Sequence, residues 1–301
     1  FFPLDLPFVA ESMVKRIHPG IFMPVETELW PNFLRAIRER HIPVMMVNGR
    51  ISEKSVKTYR YLYGIWDDML NTVSRFCMQS SIDADYIFSL GADTNKIFVT
   101  GNTKFDQTYA EVTPEDYARY KEELGLGESY PVIMAGSTHP GEEKALFDAF
   151  KKVRDKYSDA RLVIAPRKTN RADEIAKLAA SYGYETGYRS KMLEHPDMRK
   201  AYPVVLIDTI GELGRIYAVG DVVYVGGSLS KTGGHNVLEP AAHAKPIIVG
   251  PNMQNFKDSY SLLSKVGACK MINNTTELAN EMLDIISNDE RRAKMGAASL
   301  Q

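Results

Sequence analysis

Cysteine is scarce. The 301 residues hold two, Cys77 and Cys269, too few and too far apart for a disulfide framework or a thiolate metal centre. Each sits in an apolar run, which predicts buried free thiols. The six histidines show no HxxxH or HExxH spacing, so the usual zinc-hydrolase pattern is excluded. No apolar run approaches the roughly 18–20 residues of a membrane-spanning helix. No signal peptide is visible, and with so little cysteine this points to a reducing cytoplasmic setting. Net charge is −1, so no global attraction to nucleic acid is implied. Internal repeats and low-complexity tracts are also missing.

What remains is an ordinary globular composition, 44% hydrophobic and 25% charged, with a length that suggests two domains. Short apolar runs alternate with helical stretches, which predicts parallel α/β sheets. In the first part the strands are expected at 20–25, 42–47, 76–79 and 97–100, a thin sheet for a lobe of this type. Residues 107–129 are polar and helix-forming and read as a connection. The second part is better defined, with six strands expected at 132–135, 161–165, 204–207, 222–225, 247–249 and 268–272. The predicted organisation is a first lobe over 1–106, a connection over 107–129 and a second lobe over 130–301.

The stretch Val225-Gly-Gly-Ser-Leu-Ser-Lys-Thr-Gly-Gly-His-Asn-Val-Leu-Glu-Pro240 organises the second lobe. A glycine loop between a strand and a helix offers free backbone N–H groups and the positive end of a helix dipole, which suits an anion. Asn236 can cap the helix starting near Val237. Glu239 cannot hold a phosphate, but its carboxylate can accept two hydrogen bonds from a vicinal diol such as a ribose. A flexible strand-to-helix turn with a helix-favouring acid is the plainer alternative.

Three more turns follow strands of the same lobe and so share one sheet edge, where ligands of open α/β sheets bind. Gly136-Ser-Thr-His139 could hold a phosphate or carboxylate, or be a capped helix start with Glu142 and Glu143 as first-turn acids. Pro166-Arg167 puts a guanidinium at a strand end, placed for a phosphate. Gly211-Glu212-Leu213 lets a ligand approach the backbone closely, with Glu212 either a base-edge acceptor or a surface acid. In the first lobe, Glu26 and Glu28 are expected to form a carboxylate pair fixed by Trp30 and Pro31. Lys104 could stabilise a departing phosphate. Arg50, Lys54, Lys57 and Arg60 beside Tyr59, Tyr61 and Tyr63 suit a phosphorylated amphiphile at a membrane surface, or a solvated helix face.

Taken in order, ETELWP, NGRIS, GNTKFD, GSTHPGEE, APR, DTIGEL and VGGSLSKTGGHNVLEP resemble the Kdo (3-deoxy-D-manno-octulosonic acid) transferases of lipopolysaccharide assembly, over nearly the whole chain. The resemblance implies a GT-B fold, two Rossmann-like lobes whose parallel sheets face a cleft. It implies an inverting enzyme that moves Kdo from CMP-Kdo to the lipid A precursor, lipid IVA, without a metal or other cofactor, at the cytoplasmic face of the inner membrane. Pro166, Arg167, Gly211, Glu212, Leu213, Asn236, Val237, Leu238 and Glu239 would contact CMP, and Glu26 and Lys104 would stabilise the transition state. The family's hydrophobic anchor and general base would precede Phe1, and a tail helix would follow Gln301. Gly49 stands where the family has alanine, and Lys168 where it often has histidine. A UDP-sugar-dependent GT-B transferase and a GT-B-like epimerase or nucleotide-binding module are the alternatives.

Overall fold

The computed structural model describes residues 4–59, 64–103 and 111–300. The chain divides into two units, Phe1–Thr108 and Tyr109–Gln301, so the stretch read as a connection belongs, from Tyr109, to the second unit.

The first unit holds a parallel sheet of β1 (Met45–Gly49), β2 (Arg75–Met78) and β3 (Ile97–Val99), in that order. The strand expected at 20–25 runs beside β1 but makes only isolated bridges, Phe22 to Val44 and Val25 to Val47. Phe22 and Glu26 donate N–H bonds to Pro43 and Val47, whereas Pro24 between them has no N–H to give. Helices Pro31–Arg38 and Ile65–Thr72 pack on this sheet, with Leu34, Ile37, Met46, Trp66, Leu70, Phe76 and Met78 buried. The single helical stretch expected after Ser52 is two helices, Glu53–Tyr59 and Ile65–Thr72.

The second unit is a seven-stranded parallel sheet built from β4 (Val132–Thr138), β5 (Arg161–Pro166), β6 (Thr186–Tyr188), β7 (Val204–Leu206), β8 (Val222–Val225), β9 (Ile247–Val249) and β10 (Cys269–Met271), ordered β10-β9-β8-β4-β5-β7-β6. Its central strands are buried on both faces, which is why they read as continuous apolar runs rather than alternating ones. One core joins Ile133, Leu162, Ile164 and Tyr224 to helices Glu142–Lys156 and Thr275–Ser287. The other joins Met134, Val163, Val205 and Val223 to Ile216, Tyr217 and Leu124.

β6 is the strand that the apolar pattern does not signal. It has three residues, and Gly187 at its centre carries no side chain because Tyr202 lies where a Cβ would go, 2.5 Å from the ring Cδ2. The chain enters the sheet at β4, steps out to β5 and to the edge strand β6, returns to place β7 between them, then crosses back to β8 on the other side of β4. The reversal between β4 and β8 makes their carboxyl ends the place where such a sheet opens a binding crevice.

Candidate functional site

The turns after β4, β5, β7 and β8 leave four adjacent strands at that crevice. Those after β4 and β8 are locked together. A Cβ on Gly226 would sit 2.5 Å from the Ser137 carbonyl oxygen, so only glycine lets the two backbones approach this closely. Ser137 itself is left-handed, at φ 55°.

The β8 loop is not an open anion cradle. The carboxylate of Glu142, 1% exposed, already occupies it. Backbone N–H groups of Gly227, Ser228, Leu229 and Ser230 donate to Glu142 over 2.8–3.2 Å, and the Tyr224 hydroxyl donates at 2.8 Å. The expectation of free N–H groups along this part of the loop is therefore corrected. Its neighbour Glu143 is equally buried, accepting from Thr138 Oγ1 and from both terminal nitrogens of Arg171. Both are first-turn acids of helix Glu142–Lys156, as the plainer alternative had it, but buried ones.

Beyond the loop, the Asn236 side-chain oxygen caps Leu238 N–H at 3.0 Å, and its amide donates to Glu239 Oε1 at 3.2 Å. Val237 is fully buried, so it supports the turn from the core side, while Leu238 is half-buried. Burial raises the pKa of Glu239, with Asn236 and the Arg167 charge pulling the other way. His235 stacks on His139, and their Nε2 atoms lie 2.8 Å apart, one donating to the other. His139 thus spends its ring nitrogen on His235. Burial, then His139 and Arg167, push His235 down to about 4.

Pro166 is the buried last residue of β5, and the Arg167 N–H donates to Thr138 O at 3.0 Å. The Arg167 guanidinium is exposed and has no hydrogen bond or ion pair among the described residues. It acts on Glu239 and His235 through its charge alone.

After β7, Gly211 turns through φ 93° and is exposed. Glu212 is anchored within its own lobe. Arg189 Nε and Nη2 donate to it at 3.3 and 3.1 Å, and Thr209 Oγ1 donates as well. Burial would raise the Glu212 pKa, but these bonds carry the net shift downward. The side chain is thus held by its own lobe, and the Gly211 backbone beside it is exposed. Leu213 is half-buried against the second core. Arg189 is 2% exposed and also bonds Glu123 Oε2 at 2.6 Å. No motif marks it, since it lies in a polar stretch with no apolar period. The turns after β7 and β8 meet: a Cβ on Gly214 would lie 3.8 Å from Glu239 Oε2, and His243 Nε2 donates to Gly214 O at 2.6 Å. The edge thus gathers the exposed Arg167 guanidinium, the half-buried Glu239 carboxylate, a histidine pair and exposed backbone.

In the first unit, Glu26 is left-handed at φ 57°, a conformation that costs a non-glycine residue about 1 kcal/mol or more. Trp30 Nε1 donates to Glu28 Oε2 at 2.7 Å, so the tryptophan holds that member of the expected pair. Lys104, and Arg60 to Tyr63 of the basic–aromatic cluster, lie outside the described residues. Cys269 is buried, which raises its thiol pKa, and Cys77 is half-buried. Among the described residues no group of three or more His, Cys, Asp or Glu could hold a metal ion, and no helix is long and apolar enough to cross a membrane.

Comparison with known proteins adds the following. The 3-deoxy-D-manno-octulosonic-acid transferase (kdotransferase) family matches residues 1–107. A bifunctional glycosyltransferase/methyltransferase of Fusobacterium nucleatum is 33% identical over 86% of this chain, which spans only 39% of that protein's length. The 3-deoxy-D-manno-octulosonic acid transferase of Haemophilus influenzae is 30% identical over 100% of this chain and 70% of its own. The C-terminal CMP-Kdo binding domain of WaaA from Acinetobacter baumannii superposes with TM-score 0.56 at 26% identity, over 62% of this chain and 94% of that one. A UDP-GlcNAc 2-epimerase of Neisseria meningitidis superposes with TM-score 0.59 at 13% identity, over 95% of this chain and 73% of that one, a likeness of fold alone.

Proposed function

The chain belongs to the 3-deoxy-D-manno-octulosonic acid transferase family and has the GT-B type of fold, and from that premise we propose that its second unit binds CMP-Kdo as a sugar donor. The observation that supports this most is the exposed guanidinium of Arg167, without a hydrogen bond or ion pair among the described residues and set on the same crevice as Glu239 and the Gly211–Leu213 backbone. Arg167 would pair with the phosphate. Glu239 would take the ribose hydroxyls, its second oxygen accepting no bond from Asn236. The backbone of Gly211 to Leu213, and the polar edge of Asn236, would face the rest of the cytidylate.

The reaction is transfer of Kdo to a hydroxyl of the lipid A precursor lipid IVA. The hydroxyl gives its proton to a general base as its oxygen attacks the anomeric carbon, the bond from that carbon to the phosphate oxygen breaks, and CMP leaves with the bonding electrons. Attack opposite the leaving group inverts the anomeric centre. Arg167 offsets the charge gathering on the phosphate, and Lys104 would add to it, with Glu26 steadying positive charge on the sugar. No metal is needed where side chains supply that charge. A lipid acceptor places the enzyme at the cytoplasmic face of the inner membrane, in peripheral contact with it.

Arg167→Ala tests the donor assignment. Losing one charge-assisted phosphate contact should weaken CMP binding by about tenfold to a hundredfold in titration calorimetry. Unchanged affinity would remove Arg167 from the site, and tighter binding of UDP than of CMP would favour a UDP-sugar donor instead.

A further inference from the structure

We infer that Glu142 is a built-in anion that positions the donor site, an inference that rests on the donor reading above and specifies where the phosphate does not go. Four successive N–H groups, Gly227 to Ser230, converge on one carboxylate. Successive amides aimed at one point form the nest that proteins use to hold phosphates and other anions. Here a side chain fills it. Oε1 accepts from Ser228, Leu229 and Ser230 N–H and from the Tyr224 hydroxyl, while Oε2 accepts from Gly227 N–H and His139 N–H. No ion pair to Glu142 exists among the described residues, so these N–H and O–H donors are its partners.

Two consequences follow for the site. A donor phosphate in the same nest would meet a like charge in a poorly solvated pocket, so it is directed to Arg167. The carboxylate also pins both partners of the histidine pair, through the His139 amide and through the loop that leads to His235, Asn236 and Glu239. The loop is therefore shaped before any nucleotide arrives, which lowers the ordering cost of binding.

The test removes the carboxylate and returns one from solution. The folded Glu142→Ala chain should bind CMP roughly tenfold more weakly than the unaltered chain, and sodium formate should restore several-fold of that loss while leaving the unaltered chain unmoved. A folded Glu142→Ala chain with full affinity, or one whose loss does not respond to formate, overturns the inference. Should Glu142→Ala not fold, Glu142→Gln keeps the shape but turns an NH₂ toward amide donors. Hydrogen exchange at Gly227 to Ser230, measured without nucleotide, should then be strongly protected in the unaltered chain and fast in Glu142→Gln; equal protection in both overturns it. The exchange arm judges Glu142 by itself, whereas failure of the unaltered chain to bind CMP counts against the donor reading.

Discussion

His235 shows how a single side chain ties the site to stability. Its folded pKa is pushed from 6.5 to about 4, chiefly by burial. The unfolded chain therefore takes up a proton between those values that the folded chain refuses. The stabilisation is complete above pH 6.5 and is lost as pH falls toward 4. Urea unfolding at pH 7 and pH 5 should show a smaller acid loss for His235→Gln than for the unaltered chain; an equal loss would assign the acid sensitivity elsewhere. Gly226 gives a second prediction. A methyl there would press on the Ser137 carbonyl at 2.5 Å, so Gly226→Ala should cost about 3 kcal/mol in the same unfolding assay. At this scale the sequence put Arg167, Asn236 and Glu239 at turns and helix starts, which follow from local pattern, though the helix begins at Leu238 with Val237, not Asn236, at its N-cap. It could not show that Glu142 fills the glycine loop. That contact joins residues more than eighty apart, and nothing local separates a buried first-turn acid from a solvated one.

Between elements, the Arg189 network does the joining. One buried guanidinium bonds Glu123, on helix Pro114–Glu123, and Glu212, on the turn after β7. It thereby fixes the Gly211–Leu213 backbone from behind. Arg189→Met should destabilise the second unit by about 3–5 kcal/mol, because two half-buried carboxylates lose their cation. Adding Glu123→Gln and Glu212→Gln should recover much of that loss; no recovery would mean that packing around the arginine, not charge, is at work. Strong apolar runs announced β5, β7, β8 and β9 to within a residue of their ends, and β4 at its start, its last three residues Gly136 to Thr138 lying beyond the apolar run. Pro24 broke the strand expected at 20–25, and Gly187 hid β6. Both misses come from residues whose backbone chemistry matters only once a neighbouring strand is in place.

At the level of the whole molecule, the seven-stranded sheet carries the donor assignment, because its order reverses between the two strands whose turns meet. Strand alternation made the parallel α/β class legible, but strand order depends on crossovers that no local pattern encodes. The most direct test is titration of the isotope-labelled chain with CMP, followed residue by residue by NMR. The account predicts that the largest shifts fall on Arg167, Gly211 to Leu213 and Asn236 to Glu239, with Gly227 to Ser230 little changed. Shifts centred on the opposite edge of that sheet, or a nucleotide seated in the Gly227–Ser230 nest, would contradict it.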